Sequence, residues 1–202
     1  MPRPPQFSSE SIVDATARLA AALGPAGTTI GAIAQELGAP TGSIYHRFAS
    51  RDILLAEVWL HTVEAFQAGF VAELANGNPR DAGLNAALYT PGWVRAHRTP
   101  ARLLLLHHRD DFLPGGWPPE VADRAGRLAA EMGRALRTFA RDALGSVGAA
   151  ALRRARFALV DVPGAAVGPH LRADEDLPDM VEDLVRAAYL AIVPVARQRT
   201  RR

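Results

Sequence analysis

Apolar residues recur at intervals of three and four along nearly the whole chain, and no segment alternates as a strand does. A first helix is predicted from Ser8 or Ser9, with Ile12, Ala15, Leu19 and Leu23 on one stripe, ended by Gly24-Pro25-Ala26-Gly27. Thr28 or Thr29 then caps a short second helix whose apolar positions are Ile30, Ile33, Ala34 and Leu37, and Gly38 stops it. A tight connection, Ala39-Pro40-Thr41-Gly42, leads into a third helix of barely two turns, in which only Ile44 and Phe48 face inward. Ser50 caps a fourth, long helix that carries Leu54, Leu55, Val58, Trp59, Val63, Phe66 and Phe70 and ends by Asn76-Gly77-Asn78-Pro79.

Beyond that break the period predicts a helix over about 81–97, bent near Thr90-Pro91, and another from Pro100 to Arg109. A loop from Asp110 to Pro119 precedes a long helix over about 120–144, with Val121, Ala125, Leu128, Met132, Leu136 and Phe139 inward. A further helix is expected over about 148–160, a glycine- and proline-containing loop from Val162 to Asp176, and a last helix over about 177–197. The fold class is therefore all-α, with about nine helices. It divides into a three-helix N-terminal domain over 1–50 and a helical remainder over 51–202, bridged by the helix over 51–75. The end of the chain, Arg197 to Arg202, reads as a tail.

Composition narrows what such a protein does. With 49% hydrophobic and 22% charged residues, a chain of 202 residues has the means to bury a core. It has no cysteine, which excludes disulfides, thiol chemistry and cysteine-bound metals. No apolar run approaches the roughly 18 residues of a membrane span, and the polar, proline-rich start lacks a signal-peptide core, so a cytoplasmic protein without a membrane partner is expected. All 23 basic residues are arginine. Residues 1–51 set Arg3, Arg18, Arg47 and Arg51 against Glu10, Asp14 and Glu36, a balance of only +1, so any contact with nucleic acid depends on where the charges sit.

Two short helices joined by a tight turn form a helix-turn-helix, whose second helix projects far enough to enter a groove about 12 Å wide. Residues 29–48, TIGAIAQELGAPTGSIYHRF, meet its needs: an amphipathic first helix, a glycine at the turn, and a second helix with few inward anchors and small or polar residues elsewhere. Thr41, Ser43, His46 and Arg47 offer hydrogen-bonding groups, Gly42 offers clearance, and the Tyr45 hydroxyl can reach a phosphate oxygen. A helical hairpin inside any all-α protein shares the bare spacing, but the string does more. GAIAQELGAPTGSIYHRFASRDILLAEV resembles the TetR-family signature: IA, a glycine at the turn, a glycine before the recognition helix, Tyr and Phe within it, then Ser followed by a basic and an acidic residue.

The resemblance covers about residues 8–58. It implies a sequence-specific transcriptional regulator, a repressor released from a palindromic double-stranded operator by a small-molecule effector. It implies phosphate contacts from Thr28 or Thr29, Tyr45 and Arg51, with Thr41, Gly42, Ser43 and His46 approaching the major groove. Thr41 and Arg51 stand where the family often has Lys, so one basic contact is lost at Thr41, and Arg47 supplies another. A homodimer built on the last two helices is also implied, and the stripe Leu177, Val181, Leu184, Ala188, Ala191, Ile192 and Val195 is compatible with it. Arg3 lies where a basic arm would reach DNA.

Tyr89, Trp93, Phe112, Trp117, Met132 and Phe139 are candidates for an apolar effector site, with His107 as a polar partner. The cluster His107-His108-Arg109-Asp110-Asp111 is the one concentration of acid-base groups, but adjacent helical residues point about 100° apart and do not share a metal. No metal or cofactor is therefore expected. Two alternatives stand beside the sensor: a DNA-binding regulator that senses no ligand, and a helical enzyme using His107 and His108, although no nucleophile-base pair or phosphate loop appears at motif spacing.

Overall fold

The computed structural model describes residues 7–193, so Arg3, Val195 and the arginine tail lie outside the described residues. Within them the chain is all-helical, as expected, with no strand. The elements are α1 (Ser9–Gly27), α2 (Ile30–Leu37), α3 (Thr41–Tyr45), α4 (Arg51–Leu74), α5 (Pro79–Ala96), α6 (Arg98–Leu106), α7 (Arg109–Phe112), α8 (Pro119–Leu144), α9 (Ala149–Arg156), a π-helical segment (Phe157–Asp161), α10 (Val162–Ala173) and α11 (Met180–Ile192). No helix among the described residues is long and apolar enough to cross a membrane.

The chain packs as two compact units, neither a continuous run. The first holds the described residues of Met1–Ala65 together with His97–Leu128. Its core joins Ile12, Ala20, Ile33, Ile44, Leu54, Leu55, Val58, Leu103, Phe112 and Val121. The local signals act where the pattern placed them: Ser8 caps α1 by accepting from the Ser11 amide at 3.0 Å, and Gly24, at φ 74°, breaks that helix before its final turn.

In the same unit, Arg124 of α8 grips α4. Its Nε and Nη2 donate to the two Glu64 oxygens at 2.6 Å each, and its Nη1 donates to Glu57 at 2.5 Å. The Arg124 hydrogen bonds hold the Glu64 carboxyl below its ordinary pKa, against a burial effect that pushes the other way; His61 and Arg127 add smaller favourable fields. The folded-state value is thus the lower one, so the stabilisation is fully present above the ordinary Glu pKa of about 4.3 and is lost as pH falls through the folded value. Acid titration from about pH 5 downward is expected to lower the melting temperature of the wild type more steeply than that of Glu64→Gln, which starts lower at neutral pH. Parallel curves would mean that the fork contributes nothing.

The second unit holds Phe66–Ala96 with the described residues of Ala129–Arg202. Phe66 gathers Phe70, Tyr89 and Trp93 at ring-centroid distances of 5.7, 5.5 and 5.1 Å. Tyr189 of α11 is buried, and its hydroxyl donates to the Arg80 carbonyl at 2.8 Å. Burial pushes that phenol up to about 12, so it remains a donor at any physiological pH. Arg95 of α5 bonds Glu182 and lies 3.5 Å from Asp179.

Two expectations change here. The loop expected from Val162 to Asp176 is instead largely α10, continuous with α9 through the π segment. The Val162 amide bonds five residues back to Phe157, and this wider turn immediately precedes Pro163, whose ring would otherwise meet the carbonyl of Leu159. Pro163, Val167 and Leu171 are buried at intervals of four, a helical stripe that the neighbouring glycines and prolines obscured. The stripe on α11 also divides. Val181 is buried together with Val185 and Tyr189, whereas Leu184 and Met180 are 55% and 60% exposed.

Candidate nucleic-acid interface

The site is built from α2, the turn and α3, all in the first unit. Thr29 caps α2, its hydroxyl accepting from the Ala32 amide at 3.1 Å. Gly38 ends α2 in the left-handed region at φ 60°. Its amide reaches the Gln35 carbonyl at 3.2 Å, while the Ala39 amide reaches Ala34 at 2.9 Å, so two otherwise orphaned carbonyls are satisfied and the chain turns sharply.

Pro40 then delivers α3, which is held from below by Ile44, fully buried, and by Phe48 just beyond its end. Everything polar is left on the other side. Thr41, Gly42 and His46 are exposed, Tyr45 is 54% exposed, and Ser43 is half-buried. Arg47 is half-buried and curls back, donating to the Ser43 carbonyl at 3.2 Å. Gly42 is informative because the fold does not need it: a Cβ there would meet nothing within 4 Å.

Two residues of the implied set are engaged internally. Thr28 is fully buried, and its hydroxyl donates to the Gly24 carbonyl at 2.9 Å. Arg51, the first residue of α4, donates from Nε to the Thr28 carbonyl at 2.7 Å and from Nη2 to the Pro25 carbonyl at 2.5 Å. The helix that carries it is capped by Ser50, whose hydroxyl oxygen accepts from the Ile53 amide at 3.1 Å.

The effector candidates separate by unit. Phe112 lies 5.0 Å from Trp59 and 6.0 Å from His107 in the first unit, which also contains the half-buried Trp117. Tyr89, Trp93, Met132 and Phe139 belong to the second. A Cβ at Gly69 would overlap the Tyr89 ring, so this phenol lies directly on α4 backbone; burial raises its pKa and Glu73 raises it further. Asp111 accepts from the His108 amide at 2.7 Å and approaches His107 Nδ1 at 4.0 Å, an arrangement that begins α7. Among the described residues, no three His, Asp or Glu side chains converge as a metal site.

A buried anchor beneath a polar, partly side-chain-free face, reached through a left-handed glycine turn, defines a helix-turn-helix DNA-binding protein. Residues 12–58 match the family model of bacterial regulatory proteins, tetR family. No curated protein matches the chain. Among solved structures, the transcriptional regulator FadR from Bacillus subtilis, in complex with stearoyl-CoA, is similar with a TM-score of 0.69 at 14% identity, covering 94% of this chain and 100% of its own. A tetR family transcription regulator from Shewanella sp. PV-4 has a TM-score of 0.69 at 18% identity, covering 92% and 95%. A TetR-like transcriptional regulator from Rhodococcus sp. RHA1 has 0.69 at 19%, covering 95% and 98%. At these identities the similarity is one of fold, and the family match is confined to the DNA-binding segment: residues 12–58 form a helix-turn-helix segment similar to that of the bacterial regulatory proteins of the tetR family.

Proposed function

We propose that the protein is a repressor that binds a palindromic operator as a homodimer and leaves it when a small molecule binds. The observation that carries this reading is the face of α3, where Thr41, Gly42, Tyr45 and His46 are exposed above a fully buried Ile44. In the bound state these residues and Ser43 meet the major groove, with Thr29 and Arg47 at its edges. A second copy covers the apolar surface that the second unit leaves open, where Phe157, Met180 and Leu184 are each more than half exposed. Two recognition helices one DNA turn apart then read two half-sites.

The effector site is assigned to Tyr89, Trp93, Met132 and Phe139, and its ligand to the class of long acyl compounds with an anionic head, because the similar FadR holds stearoyl-CoA. Ligand binding favours a state in which α4, one uninterrupted helix from Arg51 to Leu74, changes the spacing of the recognition helices. The close fit of Tyr89 on Gly69 and of Phe139 on Gly83 favours a second reading, a regulator that senses nothing.

Selection from a pool of random duplexes tests the first reading and separates it from the second. A palindrome is expected to be enriched. Tyr45→Ala, which loses a hydrogen bond to a charged oxygen, is expected to bind it about tenfold more weakly. Gly42→Ala is expected to weaken binding by a similar factor while leaving the melting temperature unchanged or raised, since alanine is the better helix former. Stearoyl-CoA added to the complex releases the DNA if the sensor reading holds and leaves it bound if the second does. Absence of any enriched sequence would sink both.

A further inference from the structure

We infer that Arg51 is a positioning residue for DNA binding: its guanidinium clamps the carbonyl end of α1 and so sets the cap of α2, and it does not neutralise a phosphate. This inference rests on the DNA-binding reading above.

Arg51 and the turn it holds are about 25 residues apart in the chain, and the turn is all that joins α1 to α2. Gly24, at φ 74°, interrupts α1, and Pro25 begins one last turn that closes when the Thr28 amide bonds back to the Pro25 carbonyl at 3.2 Å. The carbonyls of such a turn carry the negative end of the helix dipole and keep acceptor capacity that the helix itself does not fill. The planar fork of Arg51 supplies two parallel donors, to Pro25 and Thr28, in the geometry that only a guanidinium offers. The residue that follows Thr28 is Thr29, whose hydroxyl caps α2. Arg51 thereby ties the first residue of α4 to the first turn of the helix-turn-helix.

The charge is also occupied. Nη1 lies 3.6 Å from the Asp52 carboxylate, and the Arg51 side chain is only 34% exposed. Two carbonyl dipoles and a carboxylate surround the guanidinium before any DNA arrives. Losing the two bonds on which its pose depends would be the condition for swinging out to a phosphate.

The experiment compares wild type, Arg51→Ala and Arg51→Lys on the wild-type-enriched palindrome, well below each variant's melting temperature, over a series of salt concentrations. A cation that neutralises a phosphate contributes about 0.9 to the slope of log K against log salt. The expected result is that Arg51→Ala binds at least tenfold more weakly with an unchanged slope, and that Arg51→Lys, which keeps the charge and loses the fork, does not restore wild-type affinity. Amide exchange of the free protein is read alongside, and the Thr28 and Ala32 amides are expected to exchange faster in both variants. A slope reduced by about 0.9 in Arg51→Ala and restored in Arg51→Lys overturns the inference in favour of a phosphate contact. Unchanged affinity of the folded variants overturns it in favour of a purely structural role. If wild type enriches no duplex, the regulator reading fails, while the exchange data still report whether the clamp exists.

Discussion

Ile44→Ala is expected to abolish operator binding while most of the helical content survives. Helix α3 has five residues, too few to persist by propensity alone, so it exists because the unit packs around its inward side chains. Ile44 is fully buried, and Phe48, one turn on, is 7% exposed. Removing three carbons from a fully buried isoleucine costs about 2–5 kcal/mol, a range set by how well the site collapses afterwards. That cost falls on a helix of only five residues. The measurement is paired: urea denaturation of the free protein and affinity for the enriched palindrome. A midpoint lowered by about 0.7 M or more together with loss of binding fits the argument, since a slope of about 1–3 kcal/mol/M converts such a cost into an easily read shift. Normal affinity in Ile44→Ala would mean that α3 is held by something other than its two anchors.

Gly83→Ala is the second large effect, and it acts within the second unit. A Cβ at position 83 would overlap both the Phe139 ring and the Tyr189 hydroxyl. Tyr189 is 1% exposed and bonded to the Arg80 carbonyl at 2.8 Å, so moving it breaks a buried hydrogen bond as well as the packing. Overpacking costs about 1–3 kcal/mol and an orphaned buried polar group about 1–3 more, for a combined loss of about 2–6 kcal/mol. Alanine is otherwise the better helix residue, so any stabilisation seen in Gly83→Ala would show that the phenol has an alternative position. Thermal melting reads the effect directly, and Gly92→Ala, in the same helix with open space at its Cβ, is the control.

Much of the interface was legible before any coordinates, because the signals that build it act within a few residues. The caps at Thr29 and Ser50, the left-handed stop at Gly38 and the break at Gly24 all bond groups within five positions of one another. The inward pair Ile44 and Phe48 follows from a helical period. The roles of Thr28 and Arg51 were not legible in the same way. Both carry groups that suit a phosphate, and no local rule says that the Arg51 fork meets a turn formed 23 and 26 residues earlier.

The sequence by itself determined the helical period, the helix ends around the turn and the family of the DNA-binding segment, since each is written in neighbouring residues and in a specific string. Only the tertiary structure decided what the longer-range partners are. It turned Val162–Ala173 from a stretch of apparent breakers into α10, because burying Pro163, Val167 and Leu171 outweighs a weak local propensity once a π turn has made room for the proline ring. It divided the apolar residues of α11 between an inner face and an open one, and it set Arg124 against two carboxylates some 60 positions away. Periodicity reports that a face is apolar; which surface that face meets is a property of the assembled packing.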